Sequence, residues 1–176
     1  MTRFRPATLI AALALAGFVA GSGPARANPS GDTPPPPPDT KSGDQKKTKK
    51  DKQSYQDFQR GYRAAFALIQ QGDYAGGISA MRALGRDEQT DVATEIGFAY
   101  RKLGNYDASQ VWYEKALVSN PNNTRTLQYY GEWYLEQGNR LKAQDNLQKI
   151  RLICGPADCK DYVDLKTAID TGRVSY

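Results

Sequence analysis

Cys154 and Cys159, in "ICGPADCKDY", are the only cysteines of this 176-residue chain, and the chain contains no histidine. Without imidazole it lacks the commonest general base, and two thiols alone cannot supply the four ligands of a structural zinc site. Their C-x4-C spacing is not the C-x2-C of a dithiol oxidoreductase. In a chain read as exported, the expected chemistry is a disulfide, and closing so short a loop contributes about 2 kcal/mol in the chain-entropy picture. Glu132 and Glu136 share a helix face at i, i+4. Side by side on one exposed helix they read as solvated surface, not as an acid and a nucleophile facing across a cleft. There is no G-x-x-x-x-G-K-[ST] phosphate loop and no G-x-G-x-x-G after a strand; Gly76-Gly77 falls in a helix-period stretch and reads as close packing. The sequence therefore points to a protein that is not an enzyme and needs no cofactor or metal, so its function must come from architecture.

The elements that would build that architecture begin beyond residue 54. Residues 1–27 place Arg3 and Arg5 before an apolar run, Leu9 to Ala20, and end on Ala25-Arg26-Ala27. This is the three-part pattern of a cleaved secretory signal, and the run is too short for the ~20 residues of a spanning helix. Residues 28–54 hold five consecutive prolines and a lysine cluster with almost nothing to bury. They read as a disordered Pro/Lys-rich linker, extended at Pro34 to Pro38. The net charge of +5 belongs to these two segments, which leaves residues 55–176 neutral. A neutral domain lacks the electrostatic footprint of nucleic-acid binding.

Within residues 55–176 one pattern recurs. Gly72, Gly104 and Gly138, 32 and 34 residues apart, are each followed by an Asp or Asn, and each such step opens a new helical run: "QGDYAGGISAMRAL", "LGNYDASQVWYEKAL" and "QGNRLKAQDNLQKI". Spacings in this range signal stacked helix pairs. Glycine ends one helix by adopting the left-handed conformation, as Gly104 would for a helix from Val92 to Leu103; Asp73, Asn105 and Asn139 then cap the next. Tyr106, Ser109, Tyr113, Ala116 and Leu117 fall on one face of the second helix of the middle pair, opposite a stripe of Ile96, Gly97, Tyr100 and Leu103. Pro121 stops that helix by pushing Asn120 out of helical geometry. After the cysteines, Tyr162, Leu165 and Ile169 at intervals of 3 and 4 predict a last helix, ending at Gly172, that covers the exposed face of the third pair.

This arrangement resembles the tetratricopeptide repeat family. The middle unit, 90–123, carries the resemblance most fully, with Ile96-Gly97, Tyr100, Gly104, Tyr106, Ser109, Tyr113, Ala116 and Pro121. The third, from Thr124 to about Ile153, keeps Leu127, Tyr130-Gly131, Tyr134, Gly138 and Ala143, but has Leu147 at the second-helix aromatic position. The first, about 58–89, keeps Ala65, Leu68, Gly72, Tyr74 and Gly77, but has Gly61 where a large apolar residue is usual and no closing proline. The resemblance implies an all-α solenoid of three helix-turn-helix repeats with a C-terminal capping helix over 55–176. It also implies a concave ligand-binding groove lined by Tyr62, Phe66 and Ile69, then Thr94, Phe98 and Arg101, then Gln128, Glu132 and Leu135. The alternative for Tyr62 and Phe66 is burial against the linker or an N-terminal extension of the helix. The Lys and Asn of the family's carboxylate-gripping subset are replaced by Tyr62, Phe66, Thr94 and Phe98.

The expected function is that of a non-catalytic protein-interaction module. It would be periplasmic or secreted and would hold an extended or helical protein segment in its groove. Two alternatives are a structural or assembly subunit of an envelope machine, such as a pilus or secretion apparatus, and a cell-wall or lipid-associated protein held by the basic linker. The partner expected is a protein or peptide and not nucleic acid, with membrane or cell-wall contact through the lysines of the linker.

Overall fold

The computed structural model describes residues 49–155 and 159–174. The residues read as a signal and most of those read as a linker lie outside them. All regular structure among the described residues is helical: α1 Lys49–Gln70, α2 Tyr74–Ala83, α3 Thr90–Lys102, α4 Tyr106–Ser119, α5 Thr124–Glu136, α6 Arg140–Cys154 and α7 Lys160–Thr171. None of them is long and apolar enough to cross a membrane. Helices pair as α1–α2, α3–α4 and α5–α6; each pair also packs on the next, and α7 covers α5 and α6. This is an all-α solenoid of three hairpins with a capping helix.

The three glycines occupy equivalent settings. Gly72, Gly104 and Gly138 have φ of 84°, 74° and 74°, a conformation that costs glycine no Cβ clash. Each turn closes with the same two bonds. The glycine N–H donates to the carbonyl of Ile69, Arg101 or Leu135, and the following Asp73, Asn105 or Asn139 N–H donates to that of Leu68, Tyr100 or Tyr134. That bond pair satisfies carbonyls that would otherwise be left open at the helix end. The same Asp or Asn then turns its side chain forward to accept from the N–H of Gly76, Ala108 or Lys142, the N-cap bond, worth about 1 kcal/mol. One residue thus closes one helix and opens the next.

Within a hairpin, small residues let the helices touch. A Cβ on Gly97 would meet the Tyr113 ring at 2.8 Å, and one on Gly77 would meet Ile69 at 2.4 Å. Ser109 Oγ donates to the Gly97 carbonyl at 2.8 Å across the middle hairpin. In the third hairpin Leu147 is shorter than the tyrosine at the matching place, and the capping helix makes up the difference. Leu165 of α7 stands over Gly131, 2.6 Å from where a Cβ would be. Leu165 and Ile169 join Leu127, Ala143 and Ile150 in one buried cluster, with Cys154, Cys159 and Tyr162 at its edge. Cys154, the last residue of α6, is disulfide-bonded to Cys159, the N-cap of α7.

Several boundaries differ from the sequence reading. α1 starts at Lys49, inside the stretch read as linker. Leu103, assigned to the packed stripe of α3, is 52% exposed, because the helix ends at Lys102 and Leu103 is already part of the turn. The first hairpin needs no closing proline: Gly85, at φ 62°, turns the chain after α2.

Candidate functional site

The nine residues expected to line a groove do not form an open surface. Tyr62, Phe66 and Ile69 are buried with Ile78, Met81, Val92 and Ile96 in the core between the first and second hairpins, so what covers Tyr62 and Phe66 there is α2 and α3 and not the linker. Thr94, Arg101, Gln128 and Glu132 are buried too; only Phe98 and Leu135 are half-buried. The reason is directional: on α1 and α3 these positions point along the stack toward the first helix of the following pair, and on α5 Gln128 and Glu132 point back toward α3.

What they build is a polar seam between α3 and α5. Thr94 and Thr126 share a hydroxyl–hydroxyl hydrogen bond of 2.6 Å. Arg101 Nη2 donates to Glu132 Oε2 at 2.8 Å and its Nη1 to the Tyr129 carbonyl at 3.0 Å. Gln128 Nε2 donates to the second Glu132 oxygen at 2.6 Å, and Glu136 Oε2 lies 3.9 Å from Arg101 Nε. Glu132 and Glu136 are therefore not the solvated surface pair expected of them. Burial pushes the Glu132 carboxyl above its ordinary range, while Arg101 and Gln128 pull it back. Burial likewise opposes the Arg101 charge, but Tyr113, Glu132 and Glu136 outweigh it and hold the guanidinium cationic. An ion pair this deep contributes little net stability, but it fixes register, since neither partner tolerates being left alone.

Beside the seam a half-buried surface runs across α2, α3 and α5. Tyr74, Phe98 and Tyr129 form a chain of rings, with centroids 6.4 Å apart for Tyr74 and Phe98 and 4.9 Å for Phe98 and Tyr129. Cations lie over their faces: Lys102 Nζ is 6.0 Å from the Tyr74 ring and 5.9 Å from Phe98, and the Arg125 guanidinium is 5.9 Å from Tyr129. Arg125 also reaches Glu95 at 3.3 Å. Burial, and then the neighbouring Arg101, lower the Lys102 pKa. Each such cation–ring contact contributes about 0.5–1 kcal/mol at a partly exposed site. Of the expected groove residues only Phe98 belongs to this strip. Tyr129, Lys102 and Arg125 were missed, although Tyr129 and Lys102 are the direct neighbours of Gln128 and Arg101. A groove register moved by one residue would have found Tyr129 and Lys102, but not Arg125 or Tyr74, and would have lost Phe98.

Helix hairpins stacked through repeated turns and a polar seam define an α-solenoid of the helical-repeat type. The tetratricopeptide repeat model matches residues 91–123, the α3–α4 hairpin. The uncharacterized protein ycf37 of Guillardia theta is 39% identical over 62 residues, 34% of this chain and 35% of that protein, so the match spans about a third of the relative's length. Among solved structures, the type III secretion chaperone SycD of Yersinia enterocolitica, crystallised with a peptide of the translocator YopD, is similar with a TM-score of 0.56. That likeness has 19% identity and covers 66% of this chain and 88% of SycD. An alternative dimer of the same chaperone is similar with a TM-score of 0.56 and 21% identity, covering 65% and 86%. Residues 91–123 thus match one tetratricopeptide repeat, and the hairpins on either side of it close with the same turn.

Proposed function

We propose that this protein is a non-catalytic binding module of the cell envelope, periplasmic or secreted, that holds an extended or helical segment of a protein partner. The observation that carries the reading is the ring strip Tyr74–Phe98–Tyr129 with Lys102 and Arg125 over it. Rigid rings offer apolar area at low entropic cost, and flanking cations give orientation to a peptide's carbonyls and carboxylates. The fold adds a precedent, since a chaperone of similar architecture has been crystallised with a translocator peptide. The apolar run and A-x-A site of residues 1–27 support the envelope assignment.

A photocrosslinking amino acid at Phe98, compared with one at Val118 on the exposed side of α4, tests the strip. The reading expects adducts with a discrete envelope protein from the Phe98 position and none from Val118. Equal adducts at both positions, or none at either, would overturn it. Location is tested separately, by fractionating cells for the full chain: recovery with the cytoplasm would remove the envelope assignment and leave the strip intact.

A further inference from the structure

The outer face of α1 carries charge that its neighbours do not balance. At about 100° per residue, Lys49, Lys52, Arg60 and Arg63 fall within about 80° of arc. They lie opposite Phe58, Tyr62, Ala65, Phe66 and Ile69, which turn toward α2 and α3. All four basic residues are exposed, and the stripe is about 21 Å long at 1.5 Å per residue. Between and beyond them the same face of α1 holds only Gln56, Ala67 and Gln70, with Gln53 at its margin and no bulky apolar side chain to hold a flat surface away.

Acids are scarce along it. Asp57 pairs with Arg60 at 2.6 Å, with the arginine side chain still 73% exposed, an arrangement that neutralises little in water. Asp51 lies on the core-side half of the helix. Lys49, Lys52 and Arg63 have no acid three or four residues away in either direction. The capping helix shows the contrast: there Lys160 and Lys166 pair with Asp164 and Asp170 one turn on.

We propose that this face of α1, with Lys49, Lys52, Arg60 and Arg63, docks the domain on the surface of an anionic phospholipid membrane. Four to eight basic side chains presented on one helix face match what anionic headgroups attract, each adding to partition while it stays within a Debye length of the surface. A membrane fits better than nucleic acid because the stripe carries no aromatic ring on which a base could stack. The site is independent of the ring strip and would orient the stack with α1 toward the lipid.

The test is sedimentation of the purified full chain with vesicles of 30% phosphatidylglycerol in phosphatidylcholine, and with pure phosphatidylcholine, at low and at high salt. Arg60→Gln with Arg63→Gln should lower partition to the anionic vesicles about thirtyfold, the factor two such charges contribute. Arg60→Lys with Arg63→Lys should retain it, and Lys160→Gln with Lys166→Gln should leave it unchanged. Binding should fade as salt rises and be absent on pure phosphatidylcholine. Equal binding to neutral vesicles, or full binding by the glutamine pair, would overturn the proposal. So would tighter binding to single-stranded DNA than to the vesicles at the same salt. Circular dichroism of the glutamine pair, with both positions exposed, checks that helix content is kept.

Discussion

Gly97→Ala is the substitution whose outcome the packing fixes most sharply. A methyl group there meets two Tyr113 ring carbons at 2.8 and 2.9 Å, and Tyr113 is fully buried, so the ring has nowhere to rotate. The Ser109–Gly97 bond ties the two helices at the same level, so separating them also stretches a buried hydrogen bond. Overpacking of a rigid contact costs about 1–3 kcal/mol, set against about 1 kcal/mol gained by replacing glycine with alanine inside a helix. With a ring as the obstacle the cost falls in the upper half of its range, and the net loss is about 1–2 kcal/mol. Gly61→Ala is the control, because its new methyl would meet only the Leu84 Cδ2 atom at 2.7 Å. A half-buried leucine end can swing aside, so the helix gain should leave this variant neutral or slightly more stable. Urea unfolding followed by circular dichroism measures both, and the difference corresponds to about 4 °C in Tm per kcal/mol for a domain of this size. Adding Tyr113→Leu should recover part of the Gly97→Ala loss as a coupling energy of about 1 kcal/mol. A Gly97→Ala protein as stable as the parent would refute the close-approach argument.

Other outcomes follow from the seam and the clasp. Arg101→Met leaves Glu132 buried without its partner and should cost about 3–5 kcal/mol, while Arg101→Met with Glu132→Leu should recover most of it in denaturant titration. Because burial raises the Glu132 pKa above its ordinary 4.5, the folded state holds a proton there that the unfolded chain has released. Its contribution therefore falls as pH rises from 4.5 through the raised value. Glu132→Gln should remove that segment of the stability–pH curve, and a carboxyl titration placing Glu132 below 4.5 would contradict it. Cys154→Ser with Cys159→Ser should cost about 2 kcal/mol, with amide protection lost first in α7; uniform loss across all helices would show that the bridge does not act locally.

The sequence made the turns legible because their chemistry is local. Glycine, then Asp or Asn, then a helical run needs no tertiary information, and Gly72, Gly104 and Gly138 are found in matching conformations. The contact of Gly97 with Tyr113 was visible for a similar reason, as a small residue facing an aromatic one at helical spacing. The groove was not, because a difference of one residue turns a side chain by about 100°, and only the placement of the next helix decides which side is covered. Arg101 and Glu132 illustrate this: they have the composition of an exposed pair, and their burial depends on α5 lying against α3. The place of Leu165 over Gly131 was likewise hidden. Leu147 announced a smaller filling but not what would occupy the rest.

Asp73, Asn105 and Asn139 each serve two helices at once, the backbone N–H donating to the helix behind and the side-chain oxygen and carbonyl accepting from the helix ahead. The joint therefore has no slack: even a single residue inserted between Gly104 and Asn105 would split the two tasks and swing everything downstream by more than a quarter of a revolution. Recombination that keeps whole hairpins intact would preserve the phase, whereas indels should be admitted only in the longer connections after α2 and α4.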